Sequence, residues 1–358
     1  MQLITVNNNQ VLRNIPDNEL SEAIGNQISS ELKFPPVDLL EAEEIVELFE
    51  LEDISAEHFI TANTEPILFD DLRNKCTIPV FSKDNESTIS HPEFINMVAE
   101  IGSNVFRGER MLKPAIRVSH PIKGRIPEAM GKAVKDLRED EKTIYWERMA
   151  FMIEFPNIAE TIHGNKLSLT IGGVRSYNLE NLYSRKIEET FKVFIGFKNL
   201  VCTNLCISTD GLKREIRVKS LSDLAFEVYQ LLADFKIDRQ LNQLHQLGQY
   251  YLTEKQFAQL LGRSRMYQYL PASMKKSIMP IPINDSQISA IAREYYHDKS
   301  FCRNVHGDID LWRLYNLFTG ANKTSYIDTF LDRGAGCSNF VQSIASHLES
   351  GTTSWYLT

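Results

Sequence analysis

Cys202 and Cys206, the pair Gly172-Gly173, and the neighbours Ser90-His91 and Ser119-His120 are residues whose types and spacing could do chemistry. On one strand, positions four apart share a face, so both thiols would point the same way, as a metal requires. A structural zinc needs four ligands, yet no compact second pair accompanies them, and His163 and His245 stand alone. Core thiols are the better reading, and neither a metal nor a cofactor is expected. A glycine pair after a strand could open a phosphate loop. Neither G-x-x-x-x-G-K-[ST] nor a G-x-G-x-x-G leading into a helix is present, so a turn or bulge is expected. Adjacent residues on a strand face opposite ways, so Ser119-His120 makes no ready nucleophile and base. Ser90-His91-Pro92-Glu93 reads as a helix start, with Ser90 capping the first turn and Glu93 reaching back. Glu147 and Glu154 could line a cleft, and an enzyme with a dispersed site is kept as a third reading.

Binding chemistry is better represented. Arg117, Lys123, Arg125, Arg175 and Lys198 fall in segments that read as strands and are candidate phosphate contacts. Trp312, Asn316, Thr319 and Lys323 follow one edge of a helix, where an aromatic ring beside hydrogen-bonding groups could stack a base. The alternative there is a packed tryptophan beside a satisfied asparagine. "LTEKQFAQLLGRSRMYQYLP" begins like a helix-turn-helix with Gly262 at the turn. Its second half departs from that pattern at Arg263, Gln268 and Pro271, which favours an ordinary helical hairpin.

The elements that must carry these residues change character along the chain. "SEAIGNQISSEL" and "VDLLEAEEIVELFELED" have helical spacing, separated by Pro35-Pro36. The β-rich part begins near "CTIPVFS". In "PAIRVSHPIKGRIP" Ile116, Val118, His120 and Ile122 share a face, and Pro121 demands an edge or a bulge. "TIYWERMAFMIEFP" reads as a second long strand, 157–165 as a loose hairpin connection, and "KLSLTIGG", "FKVFIGFKNLVCTNLCIS" and "KREIRVKS" as further strands. Their short connections favour antiparallel pairing. From Leu221 the period becomes helical in "LSDLAFEVYQLLADF", "LTEKQFAQLLGR", "NDSQISAIAREYYHD" and "DIDLWRLYNLFTG". The expectation is an α+β protein: an acidic helical region over 1–75, a central mainly antiparallel sheet over 76–220, and a helical layer over 221–358 packed on it.

The 358 residues carry a net charge of −8, with 43% apolar and 24% charged residues, an ordinary globular composition. The charge is lopsided. Residues 1–100 hold 20 acids and 5 bases, a net −15, so the remainder carries +7. Within 111–220 there are 19 bases against 13 acids, which places the surplus on the strands. Five cysteines at irregular spacing argue against a disulfide framework, and no run of ~18 apolar residues could span a bilayer. The start of the chain lacks the basic and apolar parts of a signal peptide. A cytoplasmic protein with reduced thiols and no membrane partner is expected.

The segments "VLRNIPDNEL", "IPVFSKDNESTISHPEFI", "IRVSHPIKGRIPEA", "LTIGGVRSYNLENLYSRK", "FKVFIGFKNLVCTNLCISTDG" and "LWRLYNLFTGANKTSYIDTFLDR" together resemble an uncharacterised protein family carried by bacterial conjugative and integrative elements, over most of residues 11–333. A fainter similarity links the V-C-x-N and W-x-x-Y-N segments to phage/plasmid-like proteins of unknown function. The resemblance implies context and no mechanism. Combined with the basic strands, it leads to an accessory protein of a mobile element that contacts single-stranded or weakly specific nucleic acid. This requires the strand cations to share one open surface. A module contacting a host protein through the acidic region 1–75 is the alternative.

Overall fold

The computed structural model describes residues 49–50, 58–76, 88–129, 131–177 and 188–358. Every described residue belongs to one compact unit, Glu47–Thr358. The helices expected over 21–32 and 37–53 lie outside the described residues apart from Phe49–Glu50 (β1), which pair in parallel with a later strand. The strand start expected near "CTIPVFS" lies outside them beyond Cys76.

After β2 (Glu65–Pro66) and α1 (Phe69–Lys75) comes α2 (His91–Val105). It starts where expected: the Ser90 hydroxyl accepts from Glu93 N and the Glu93 carboxylate accepts from Ser90 N, a complete capping box. The strand expected in "PAIRVSHPIKGRIP" is interrupted at Ser119-His120. β3 (Met111–Leu112) pairs with β1, β4 (Ala115–Val118) joins the main sheet, and β5 (Pro121–Arg125) forms a separate hairpin with β6 (Lys142–Trp146). Pro121 therefore opens a strand, where its missing N–H costs nothing.

The main sheet is antiparallel throughout and ordered β10-β9-β8-β7-β4-β2, with β11 also paired to β9. Its long members are β7 (Arg148–Ile162), β8 (Asn165–Ser176) and β9 (Glu189–Asn199), followed by β10 (Leu205–Cys206) and β11 (Leu212–Val218). The connection expected to be a loose loop over 157–165 is strand as far as Ile162. His163 and Gly164 then turn the chain with φ of 48° and 79°, the left-handed pair of a two-residue hairpin turn. The register slips between Phe155 and Ala159, where Pro156 has no N–H to give the ladder.

Gly172 and Gly173 are neither turn nor bulge. They sit mid-strand in β8, opposite Met152 and Phe151, in unbroken register. A Cβ on Gly172 would collide with the Phe151 carbonyl oxygen, and one on Gly173 would come 2.5 Å from the Phe94 ring. The pair is there for close approach of backbone and aromatic ring.

Alternation along β7 splits the sheet into two packed faces. On one, Phe94 of α2 meets Phe151 and Phe191 edge-on at 5.2 and 4.8 Å. On the other, Ala150, Met152, Val174 and Phe194 pack with Ile327, Phe330 and Leu331. The helical part runs through α3 (Leu221–Asp234), α4 (Ile237–Leu247), β12 (Tyr251–Leu252), α5 (Glu254–Tyr267), α6 (Ala272–Lys275), α7 (Asp285–His297), β13 (Ile309–Asp310), α8 (Leu311–Asn322) and α9 (Ile327–Ser350). The unbroken α9 contains Gly334 and Gly336. A side chain at Gly336 would meet Pro282 at 2.8 Å, so this glycine serves helix packing.

Candidate functional site

The strand cations do not converge. Lys198 is 2% exposed and its ammonium is paired with Glu154, whose other oxygen accepts from the Ser168 hydroxyl at 2.7 Å. Register explains the meeting, since Lys198 lies directly opposite Ser168 on β8. Arg175 is 1% exposed, is paired with Glu189, and has its guanidinium carbon 4.5 Å from the ring centroids of both Tyr177 and Phe191. Glu189 also accepts from Ile89 N at 3.1 Å, and burial raises its carboxyl against the pull of Arg175. Arg117 is buried on β4 and donates to Thr64 O at 2.7 Å and to Thr64 Oγ1. Arg125 donates to the Lys132 carbonyl, and only Lys123 of the five is fully open, on the β5–β6 hairpin. Arg117 stands opposite Ala150, on the Met152 face, whereas Arg175 packs on the Phe94 face. An isolated charge is too costly to bury, so each inward cation found an internal partner. The shared open surface expected of them is absent.

Trp312, Asn316 and Lys323 do belong together, but as an internal joint. The Asn316 amide oxygen accepts from Asn199 Nδ2 at 3.0 Å, its nitrogen donates to Trp312 O, and its carbonyl accepts from Asn204 Nδ2 at 2.9 Å. Lys323 donates to Cys202 O and to Thr203 Oγ1 at 2.8 Å. These bonds clamp α8 onto the turn between β9 and β10, where Thr203 holds a left-handed φ of 56°. Trp312 and Asn316 are sealed, so no base reaches them. The strand expected to carry both cysteines ends at Asn199: Cys202 lies in this turn and Cys206 on β10. Burial pushes the Cys202 thiol up to about 11 and Cys337 to about 12, the reverse of an activated nucleophile. All five cysteines are unpaired, and among the described residues no group of His, Cys, Asp or Glu could hold a metal ion.

His91 is a third enclosed group. Its Nε2 hydrogen-bonds the Trp146 carbonyl at 2.8 Å and its ring lies 4.4 Å from Tyr177. Burial, reinforced by the charge of Arg175, lowers its pKa to about 3.

The open polar-aromatic surface lies at the end of α5. No turn interrupts Gly262, and α5 is one helix from its Thr253–Gln256 capping box to Tyr267. This removes both the helix-turn-helix and the hairpin expected there. Residues 255–284 contain five Lys/Arg and no Asp or Glu. Arg265 is paired with Asp285 at 3.0 Å, Arg263 donates to the Thr358 main-chain oxygen at 2.7 Å, and Lys255, Lys275 and Lys276 have no Asp or Glu partner among the described residues. Lys275 Nζ lies 5.4 Å from the Tyr267 ring, whose centroid is 6.5 Å from that of Trp355, and Arg263 lies 5.0 Å from Trp355. The result is a continuous cation–ring–ring–cation row. Beside it Tyr269 is 82% exposed, Met266 55% and Met274 47%. The sequence pattern of this segment pointed to a helical hairpin or a duplex-reading motif and not to an open surface. The signal that would have found the surface was the acid-free stretch of thirty residues interleaved with Tyr and Met.

The family described as "Domain of unknown function, B. Theta Gene description" matches residues 40–357. No curated protein and no solved structure gives a significant match to the chain. No helix among the described residues is long and apolar enough to cross a membrane.

Proposed function

The chain belongs to the DUF3871 family, and we propose that it is a binding protein for single-stranded nucleic acid, acting through the surface at the end of α5 and in α6. What supports this above all is Tyr269, 82% exposed in a stretch where Lys275 and Lys276 pair with no Asp or Glu among the described residues. An open ring offers a face on which any base stacks, and unpaired cations track phosphates without reading sequence. The role accords with an accessory protein of a mobile element, the context implied by the sequence resemblance, and with a cytoplasmic location.

Titration of labelled oligothymidylate and of a matched duplex at low salt tests the reading. Preferential binding of the single strand is expected, weakening with added salt at a log–log slope of about −2 to −3 for three or four phosphates engaged. No binding of either at low salt removes the proposal. Tight binding to a protein from the host, lost on truncation of 1–75 and indifferent to the α5–α6 surface, supports the alternative of a host-protein contact.

A further inference from the structure

Beyond α9 the chain reverses through Gly351, at φ 66°, and residues 352–358 return across the end of α5. Tyr356 anchors this strap. Its ring stands edge-on to Phe340 at 4.8 Å and its hydroxyl donates to the Met279 carbonyl at 2.6 Å. The anchoring leaves Trp355 half-buried, with Tyr267 on one side and the guanidinium of Arg263 over the ring, and Arg263 Nη2 also donates to the Thr358 main-chain oxygen at 2.7 Å. We infer that Trp355 is a second base-stacking subsite of the same surface, covered in the free protein by Arg263, which yields the ring to a base and moves to the adjoining phosphate. This rests on the single-strand reading proposed above.

The exchange is favourable on physical grounds. A cation over a partly solvated ring is held weakly compared with a stacked base, and the guanidinium that leaves the Thr358 oxygen regains a charge-assisted bond at the phosphate. Indole is also the largest π-face available, and the Tyr356 anchor means that its position is set before the strand arrives.

The full chain and a short labelled oligothymidylate provide the test, with two readouts taken together. Trp146 and Trp312 are buried, so a change in tryptophan emission on binding reports Trp355. Emission is expected to fall as the oligonucleotide is added. The fall should vanish in Trp355→Phe, which keeps a ring and binds within a few-fold of the parent, and Trp355→Leu should lose about 10-fold in affinity. Binding seen by anisotropy with unchanged emission, and with Trp355→Leu as tight as the parent, overturns the subsite while leaving the surface reading intact. Absence of any binding by anisotropy overturns both. Matching circular dichroism of the variants guards against misfolding.

Discussion

Lys198 and Glu154, on β9 and β7 with β8 between them, form an ion pair inside the sheet. Both are almost wholly enclosed, and Ser168 on β8 supplies the third group. The pair faces the helical layer. A basic residue that a sequence reading would offer to a phosphate is here a part of the fold.

Lys198→Met leaves Glu154 buried with only the Ser168 hydroxyl, and is expected to cost ~3–5 kcal/mol in urea unfolding. Combining it with Glu154→Leu removes both charges and should recover most of that loss. Nucleic-acid affinity of the folded double variant should equal the parent's.

Gly172→Ala places a methyl against the Phe151 carbonyl in the middle of β8. Overpacking of this kind costs ~1–3 kcal/mol and here acts on backbone that cannot rotate away. Thermal unfolding should fall accordingly. An unchanged transition would show that β7 and β8 do not approach as closely as described.

Acid should weaken the fold through His91. In the unfolded chain its imidazole takes up a proton near 6.5, while in the native protein it stays neutral down to about 3. The unfolded state therefore binds more protons across that interval, so the contribution of His91 is complete above about 6.5 and is lost as pH falls toward 3. The difference in unfolding free energy between parent and His91→Gln, measured from pH 7 to 4, isolates this group from the carboxylates. The parent should lose stability relative to the variant as pH falls.

Asn316→Ala removes the acceptor of Asn199 and the donor to Trp312 O together. A loss of ~1–3 kcal/mol is expected, because Asn199 is buried and its Nδ2 keeps only the bond to Asn165 Oδ1. The variant should bind oligonucleotide like the parent once folded, which separates a structural joint from a binding residue.

The α+β class, the antiparallel sheet and the helix start at Ser90 were legible because they rest on local rules: alternation, period and a capping box. What local rules could not show was which neighbour a side chain would meet. Arg175 looks like a solvated strand cation until Glu189, fourteen residues on, is laid beside it. The joint between Asn199 and Asn316 spans 117 residues, and neither partner announces the other. The basic surplus was located by its sum, whereas a binding surface depends on which cations stay open, and the proposed one takes its cations from α5 and the segment after it.

The central claim is tested most directly by the salt dependence of oligothymidylate affinity for the parent, for Tyr269→Ala/Lys275→Ala/Lys276→Ala, and for Lys123→Ala as a control on the β5–β6 hairpin. The account predicts that the triple variant loses at least about 10-fold in affinity and flattens the log–log slope by roughly 1.4, one phosphate contact contributing about 0.7, while Lys123→Ala leaves both unchanged. A triple variant that binds with the parent's affinity and slope would contradict it.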